Sequence, residues 1–384
     1  MINDPFHILI VFLGIISLSL TLIARFEFAK KISPVIMMLF FTSLLANTGV
    51  IPTEHSFYKQ LSGYAVPFAV CLILLHVRFS DIKNTGSLML KAFALASTGS
   101  FVGCVLAGIV FQDQLDLALA GQGWKLAGPY IGTYIGGSLN FVSMWSGLEI
   151  DNPDLFAAAN AVDNLTLIPI FMFWVLSPLV LRKWYPDAAI DETEDAKQNN
   201  DSPTALKLND LIKLIVIGLL VIALSDLIKK QIAVWMPQLP TILITTTLAL
   251  LIAQFKSVKD LQGTKELSNF AFYLFFAVIG AMMDIPKAVC LAPVLFLYVS
   301  VVIVTQISVT LLIGRLLKMD FRMLAIASLA AKAGPSTVAA YTNAKNWNYL
   351  LLPGVAAALL GYAVGNYAGL AGAYLLKFIV NGSQ

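Results

Sequence analysis

The chain alternates long apolar runs with short polar ones. Runs of about 20 residues, enough to cross a hydrocarbon core as helix, fall at about 6–24, 34–52, 64–80, 88–111, 154–181, 208–228, 238–255, 268–284, 288–314 and 349–378. Two further runs, 126–147 and 322–347, are apolar but interrupted by Gly, Pro and hydroxyl residues. This pattern predicts an all-α polytopic protein in which those two segments are glycine-rich hairpins that enter and leave by one face. Residues 182–207 are polar and charged without a core pattern and read as a solvated cytoplasmic linker. They divide an N-terminal repeat, 1–181, from a C-terminal one, 208–384.

The two halves match in order. Leu61-Ser62-Gly63 resembles Leu267-Ser268-Asn269, Asp81-Ile82 resembles Asp284-Ile285, Gly136-Gly137-Ser138 resembles Gly334-Pro335-Ser336, and Ala161-Val162-Asp163-Asn164 resembles Ala363-Val364-Gly365-Asn366. A duplication of five crossings each makes the halves inverted relative to one another. With the N-terminus outside, the outer loops hold six of the 25 Lys and Arg residues (Lys59, Lys125, Lys229, Lys230, Lys287, Lys377). The second hairpin holds Lys332 and Lys345, and the other 17 lie inside. The positive-inside rule favours this orientation, in which the hairpin tips approach each other from opposite faces.

Composition narrows the class. The chain of 384 residues is 58% hydrophobic and 12% charged, with a net charge of +3 and a mean hydropathy of +0.81. Such a chain belongs in a bilayer, a multi-pass bacterial inner membrane being the expected location, and nucleic acid is not an expected partner. Cys71, Cys104 and Cys290 lie in apolar spans and read as small buried hydrophobes. Neither a phosphate-binding glycine loop followed by Lys nor a nucleophile triad is present, so no enzyme, ATP-driven pump or cofactor is expected.

The candidate chemistry sits at the hairpin tips. A chain that reverses inside a bilayer frees amides that suit an anion and carbonyls that suit a small cation. Gly136, Gly137, Ser138 and Asn140 in the first tip, with Lys332, Gly334, Pro335, Ser336 and Thr337 in the second, are the expected substrate-binding set. Tyr362 and Asn366, one turn apart, join them. Asn160, Asp163 and Asn164, at i, i+3 and i+4, share one helix face as the expected ion-binding set. Asp163 can bind sodium, carry a proton, or pair with a basic residue. Lys332 can receive a substrate carboxylate, stand in for a cation, pair with Asp163, or snorkel to the surface. Gly361, Gly365 and Gly369 form a packing face.

The run Gly132-Thr133-Tyr134-Ile135-Gly136-Gly137-Ser138-Leu139-Asn140-Phe141, the Asp163-Asn164 pair and Lys332-Ala333-Gly334-Pro335-Ser336-Thr337 resemble the YjcL-like family of bacterial and plastid membrane proteins over essentially the whole chain. More distantly, the paired hairpins are similar to sodium/glutamate symporters and sodium/citrate-type carriers. That resemblance implies a homodimeric elevator carrier, with Ser138, Asn140, Ser336 and Thr337 in the substrate cavity and Asp163 in ion coupling. The expected function is therefore sodium-coupled secondary transport of a small organic anion, an amino acid or carboxylate. Proton coupling, cation/proton antiport, a passive channel and a non-transporting binding protein are the alternatives.

Overall fold

The computed structural model describes residues 2–26, 34–80, 86–181, 183–185, 206–237, 239–345 and 347–381. Most of the linker read at 182–207 lies outside them. The described residues form helices α1 (Pro5–Arg25), α2 (Pro34–Asn47), α3 (Ser56–Leu74), α4 (Ser87–Val110) and the short α5 (Gln112–Ala118). Then come α6 (Ala127–Gly136), α7 (Ser138–Gly147), α8 (Pro153–Leu165) and α9 (Leu167–Leu181). The second half holds α10 (Leu208–Ile232), α11 (Thr241–Ile252), α12 (Lys256–Lys259), α13 (Thr264–Met282), α14 (Ile285–Leu316), α15 (Phe321–Ala344) and α16 (Leu351–Asn381). Among the described residues there is no strand. By length and composition, eight helical stretches among the described residues could cross a membrane.

The helix starts are written locally. Asp4 accepts hydrogen bonds from the Phe6 and His7 amides at 3.0 and 3.1 Å ahead of α1, Asn152 from Leu155 at 2.9 Å ahead of α8, and Asp284 from Lys287 at 3.2 Å ahead of α14. A proline stands in the first turn of each, where its missing N–H costs nothing. The predicted span at 154–181 is divided at Thr166 into α8 and α9, with the Thr166 hydroxyl donating to the Val162 carbonyl at 2.9 Å.

Small residues set the packing, as expected where lipid offers helices no hydrophobic drive to associate. On α4, a methyl group at Gly99 would lie 3.1 Å from the Gln306 backbone and one at Gly103 2.9 Å from the Val302 carbonyl. The Tyr298 hydroxyl donates to the Cys104 carbonyl at 2.9 Å. Residues 99, 103 and 104 thus meet 306, 302 and 298, so α4 and α14 run antiparallel. Cys71 and Cys104 are buried as expected; Cys290 is exposed on α14, because it lies off this packed face.

Two glycines reverse the chain. Gly137 has φ 74° and ψ 174°, and Gly334 has φ 75° and ψ −175°. This region of the map is open essentially to glycine alone. After Gly137, α7 folds back along α6, so that a methyl at Gly132 would lie 2.9 Å from the Asn140 carbonyl. After Gly334 the second part of α15 does the same. The Phe321 ring lies 5.9 Å from Trp174, and the Tyr341 hydroxyl donates to the Trp174 carbonyl at 2.8 Å. A straight helix would hold residues 321 and 341 about 30 Å apart.

Helix α16 backs α6 through two interlocking rows of glycine. Gly361 faces the Ile135 carbonyl, Gly365 the Gly132 carbonyl at 3.1 Å, and Gly369 the Gly128 carbonyl at 2.7 Å, each distance measured to a methyl placed on the α16 glycine. Helices α4, α6 to α8 and α14 to α16 make one packed body; α1 to α3, α10, α11 and α13 make a second beside it.

Candidate functional site

The two chain reversals meet. A methyl at Gly137 would lie 4.0 Å from the Gly334 nitrogen and 3.4 Å from the Tyr362 ring, and one at Gly334 would lie 2.8 Å from the Tyr362 hydroxyl. Tyr362 therefore fills the crevice between the tips.

Two residues before Gly334, Lys332 turns inward and is 4% exposed. Its Nζ forms an ion pair with Oδ1 of Asp163, which is 1% exposed. The Thr133 hydroxyl donates to Asp163 Oδ2 at 3.2 Å, and the ammonium lies 4.1 Å from the Tyr134 ring centroid. Carboxylate and ammonium thus satisfy each other in a buried site, with α6, α8 and α15 each supplying a member. Removing one partner from such a pair strands a buried charge, at a cost of about 3–5 kcal/mol.

A cavity of about 180 Å³ lies on the other side of α8. Its polar lining is Ser138, Asn160, Asn164, Asn269 and Tyr273, closed by the aromatic rings of Phe272 and Phe276 and by Pro34. Ser138 is the first residue of α7, so the free amides and positive dipole end of that helix adjoin the cavity. Asn164 Nδ2 donates to Asn160 Oδ1 at 3.1 Å, aligning two amides along one wall. The other wall belongs to α2 and α13 of the second body.

A family model described as "Protein of unknown function (DUF819)" matches residues 8–379. The chain belongs to this family. It is also 27% identical over 373 residues to the "Uncharacterized membrane protein YjcL" of Bacillus subtilis (strain 168), covering 92% of each chain. Family membership and the eight apolar stretches make this a multi-pass integral membrane protein.

Several expected site residues are placed differently from the sequence reading. Asn160, Asp163 and Asn164 do not act as one face. Adjacent positions 163 and 164 point about 100° apart, so the two amides reach the cavity while Asp163 turns to Lys332. Lys332 is committed to Asp163 rather than presented to a substrate. Asn140 is 4% exposed and spends its amide on the Gly361 and Tyr362 carbonyls at 3.4 and 3.3 Å, as a clasp between α7 and α16.

Ser336 and Thr337 line a separate shallow groove with Leu167, Phe171 and Met172 and do not converge with Ser138. The matched dihedrals pair Gly137, not Gly136, with Gly334, which sets Pro335 opposite Ser138 and Thr337 opposite Asn140. Gly136 instead packs against the Gly361 carbonyl and the Asn140 side chain. Asn366 is fully buried and donates to the Thr246 hydroxyl at 3.0 Å, across the seam between the two bodies. The structure adds Thr133, Tyr134, Asn269 and Tyr273 to the site. Thr133 stands four residues before the tip, on the same face as Gly137, and Asn269 replaces Gly63 in the repeat match; both were visible signals.

Proposed function

We propose that the protein is a secondary active transporter of the elevator type that moves a small organic anion, an amino acid or carboxylate, coupled to sodium. The observation that carries this reading is the polar cavity at the start of α7. It lies on the seam between the two bodies, with the buried Asp163–Lys332 pair on the opposite side of the same helix α8. Half-helix amides and neutral amide side chains suit a small carboxylate, and about 180 Å³ limits it to roughly amino-acid size. In this reading the tips are re-entrant hairpins, and the body that carries them slides along the other, which serves as the dimer scaffold.

An inverted repeat is supported by contacts that recur at a spacing constant to within one residue. Pro34, Gly63 and Pro67 correspond to Pro240, Asn269 and Tyr273; Gly63, Pro67 and Pro240 line one cavity on the seam, and Asn269, Tyr273 and Pro34 line the other. Asn47 Nδ2 donates to the Met283 carbonyl at 3.1 Å, and Gln254 Nε2 to the Val77 carbonyl at 3.1 Å, as mirrored staples. Sodium coupling in this scheme requires the cation to take the place of the Lys332 ammonium against Asp163. A second reading, proton coupling, is favoured by the same pair, because protonating Asp163 would remove the carboxylate's charge and release the Lys332 ammonium from it.

The test is counterflow in proteoliposomes preloaded with unlabelled glutamate, lactate or succinate and diluted into the labelled compound. Transient accumulation that is lost in Asn164→Leu and Asn269→Leu supports the carrier. Uptake that only equilibrates, or none for any small carboxylate, overturns it.

A further inference from the structure

A second cavity on the seam is larger than the one at the hairpin tips. About 740 Å³ opens at the far end of α7, between the two bodies. The first body contributes Trp124, Lys125, Glu149, Tyr374 and Lys377; the second contributes Tyr64, Asp226 and Lys229. The three lysines are half-buried, and among the described residues none is in an ion pair. Lys125 and Lys377 both lie near the Trp124 ring, their Nζ atoms 6.0 and 4.9 Å from its centroid. Lys229 donates to the Pro237 and Leu239 carbonyls at 2.8 and 2.7 Å, which holds its ammonium at the opposite wall.

Burial lowers the pKa of Lys125; Glu149 opposes that shift and the Lys377 ammonium adds to it. Three lysines stand against two carboxylates, Glu149 and Asp226, so the lining keeps a positive excess, and a small anion held among the lysines offsets their mutual repulsion. Low-dielectric walls focus such a field and raise the local concentration of the matching ion.

We propose that this cavity is an anion-collecting antechamber, in which Lys125, Lys229 and Lys377 gather small carboxylates from the outer solution before they reach the site at Ser138. The outer side follows from the Lys and Arg count, and the identity of the anion rests on the transport reading above. The cationic gathering itself does not, so the two can fail separately.

The experiment places a reporter thiol in the cavity, Ser146→Cys, in a Cys290→Ser background that leaves only the buried Cys71 and Cys104. Its modification rates by anionic methanethiosulfonate ethylsulfonate and the cationic ethyltrimethylammonium analogue are compared, each normalised to a free thiol. The normalised ratio is expected to favour the anion on the order of tenfold, and to collapse in 1 M salt. It should also collapse in Lys125→Gln/Lys229→Gln/Lys377→Gln and survive in the corresponding Arg triple. A ratio near one, or one indifferent to the Gln triple, overturns the proposal. The measurement is repeated in liposomes with and without phosphatidylglycerol. A preference that vanishes with the anionic lipid assigns the lysines to headgroup phosphates and overturns it equally. Counterflow failing while the charge preference persists would count against the transport reading alone.

Discussion

At the level of single residues, Asp163 and Lys332 present the sharpest energetic contrast. Asp163→Asn leaves an unpaired ammonium and Lys332→Met an unpaired carboxylate, each in a site nearly closed to solvent. Either change is expected to destabilise by about 3–5 kcal/mol, whereas the double variant removes both charges and should recover most of the loss. Thermal unfolding in detergent reads this directly. Equal losses that simply add in the double variant would mean the pair is not coupled. The tip glycines give a second contrast. Gly137→Ala and Gly334→Ala both force a side chain into a glycine-only backbone region, at about 1–3 kcal/mol each. Gly334→Ala also drives a methyl to 2.8 Å from the Tyr362 hydroxyl. Tyr362→Phe should therefore ease the thermal destabilisation by Gly334→Ala and leave that of Gly137→Ala untouched; equal relief of both would count against this geometry.

At the level of the element, apolar run length made the helices legible, and glycine with proline made both reversals legible. What the run lengths could not carry was register and orientation. Gly334-Pro335-Ser336 aligns by eye with Gly136-Gly137-Ser138, yet the backbone equates Gly334 with Gly137, because the reversal needs one glycine-only residue and the proline then begins the next helix. Side-chain identity likewise could not show that Asp163 leaves the Asn160–Asn164 wall, since a carboxylate three residues along a helix can turn either way until a partner fixes it. Lys332 is that partner, and it stands on an element remote in sequence. The glycine rows of α6 and α16 were half visible, as Gly361, Gly365 and Gly369. Gly361→Ala should be among the most damaging methyl additions in the chain, because the obstacle is the Ile135 backbone carbonyl. Gly63→Ala, with nothing within 4 Å, should be neutral in the same unfolding measurement.

At the level of the whole molecule, orientation rests on charge outside the helices. With the Lys and Arg excess inside, a cysteine at the exposed Glu54 should react with an impermeant maleimide added to intact cells, and one at the exposed Ser257 only after lysis. These expectations hold in the Cys290→Ser background. Reaction of Ser257→Cys as fast as Glu54→Cys would reverse or abolish the proposed inversion.

Helices α2 and α11 hold 14 and 12 residues, about 21 and 18 Å of rise, against a hydrocarbon slab of about 30 Å. In the proposed inverted repeat they stand at equivalent places. A bilayer meeting both must pinch inward along the seam, and thinning costs less when acyl chains are short. The protein should therefore sense the lipid it lives in. The exchange rate of the proposed carrier should rise in vesicles of 14-carbon phosphatidylcholine chains and fall in 22-carbon ones, and a rate indifferent to chain length would show that loops and headgroups, rather than bent lipid, fill the gap.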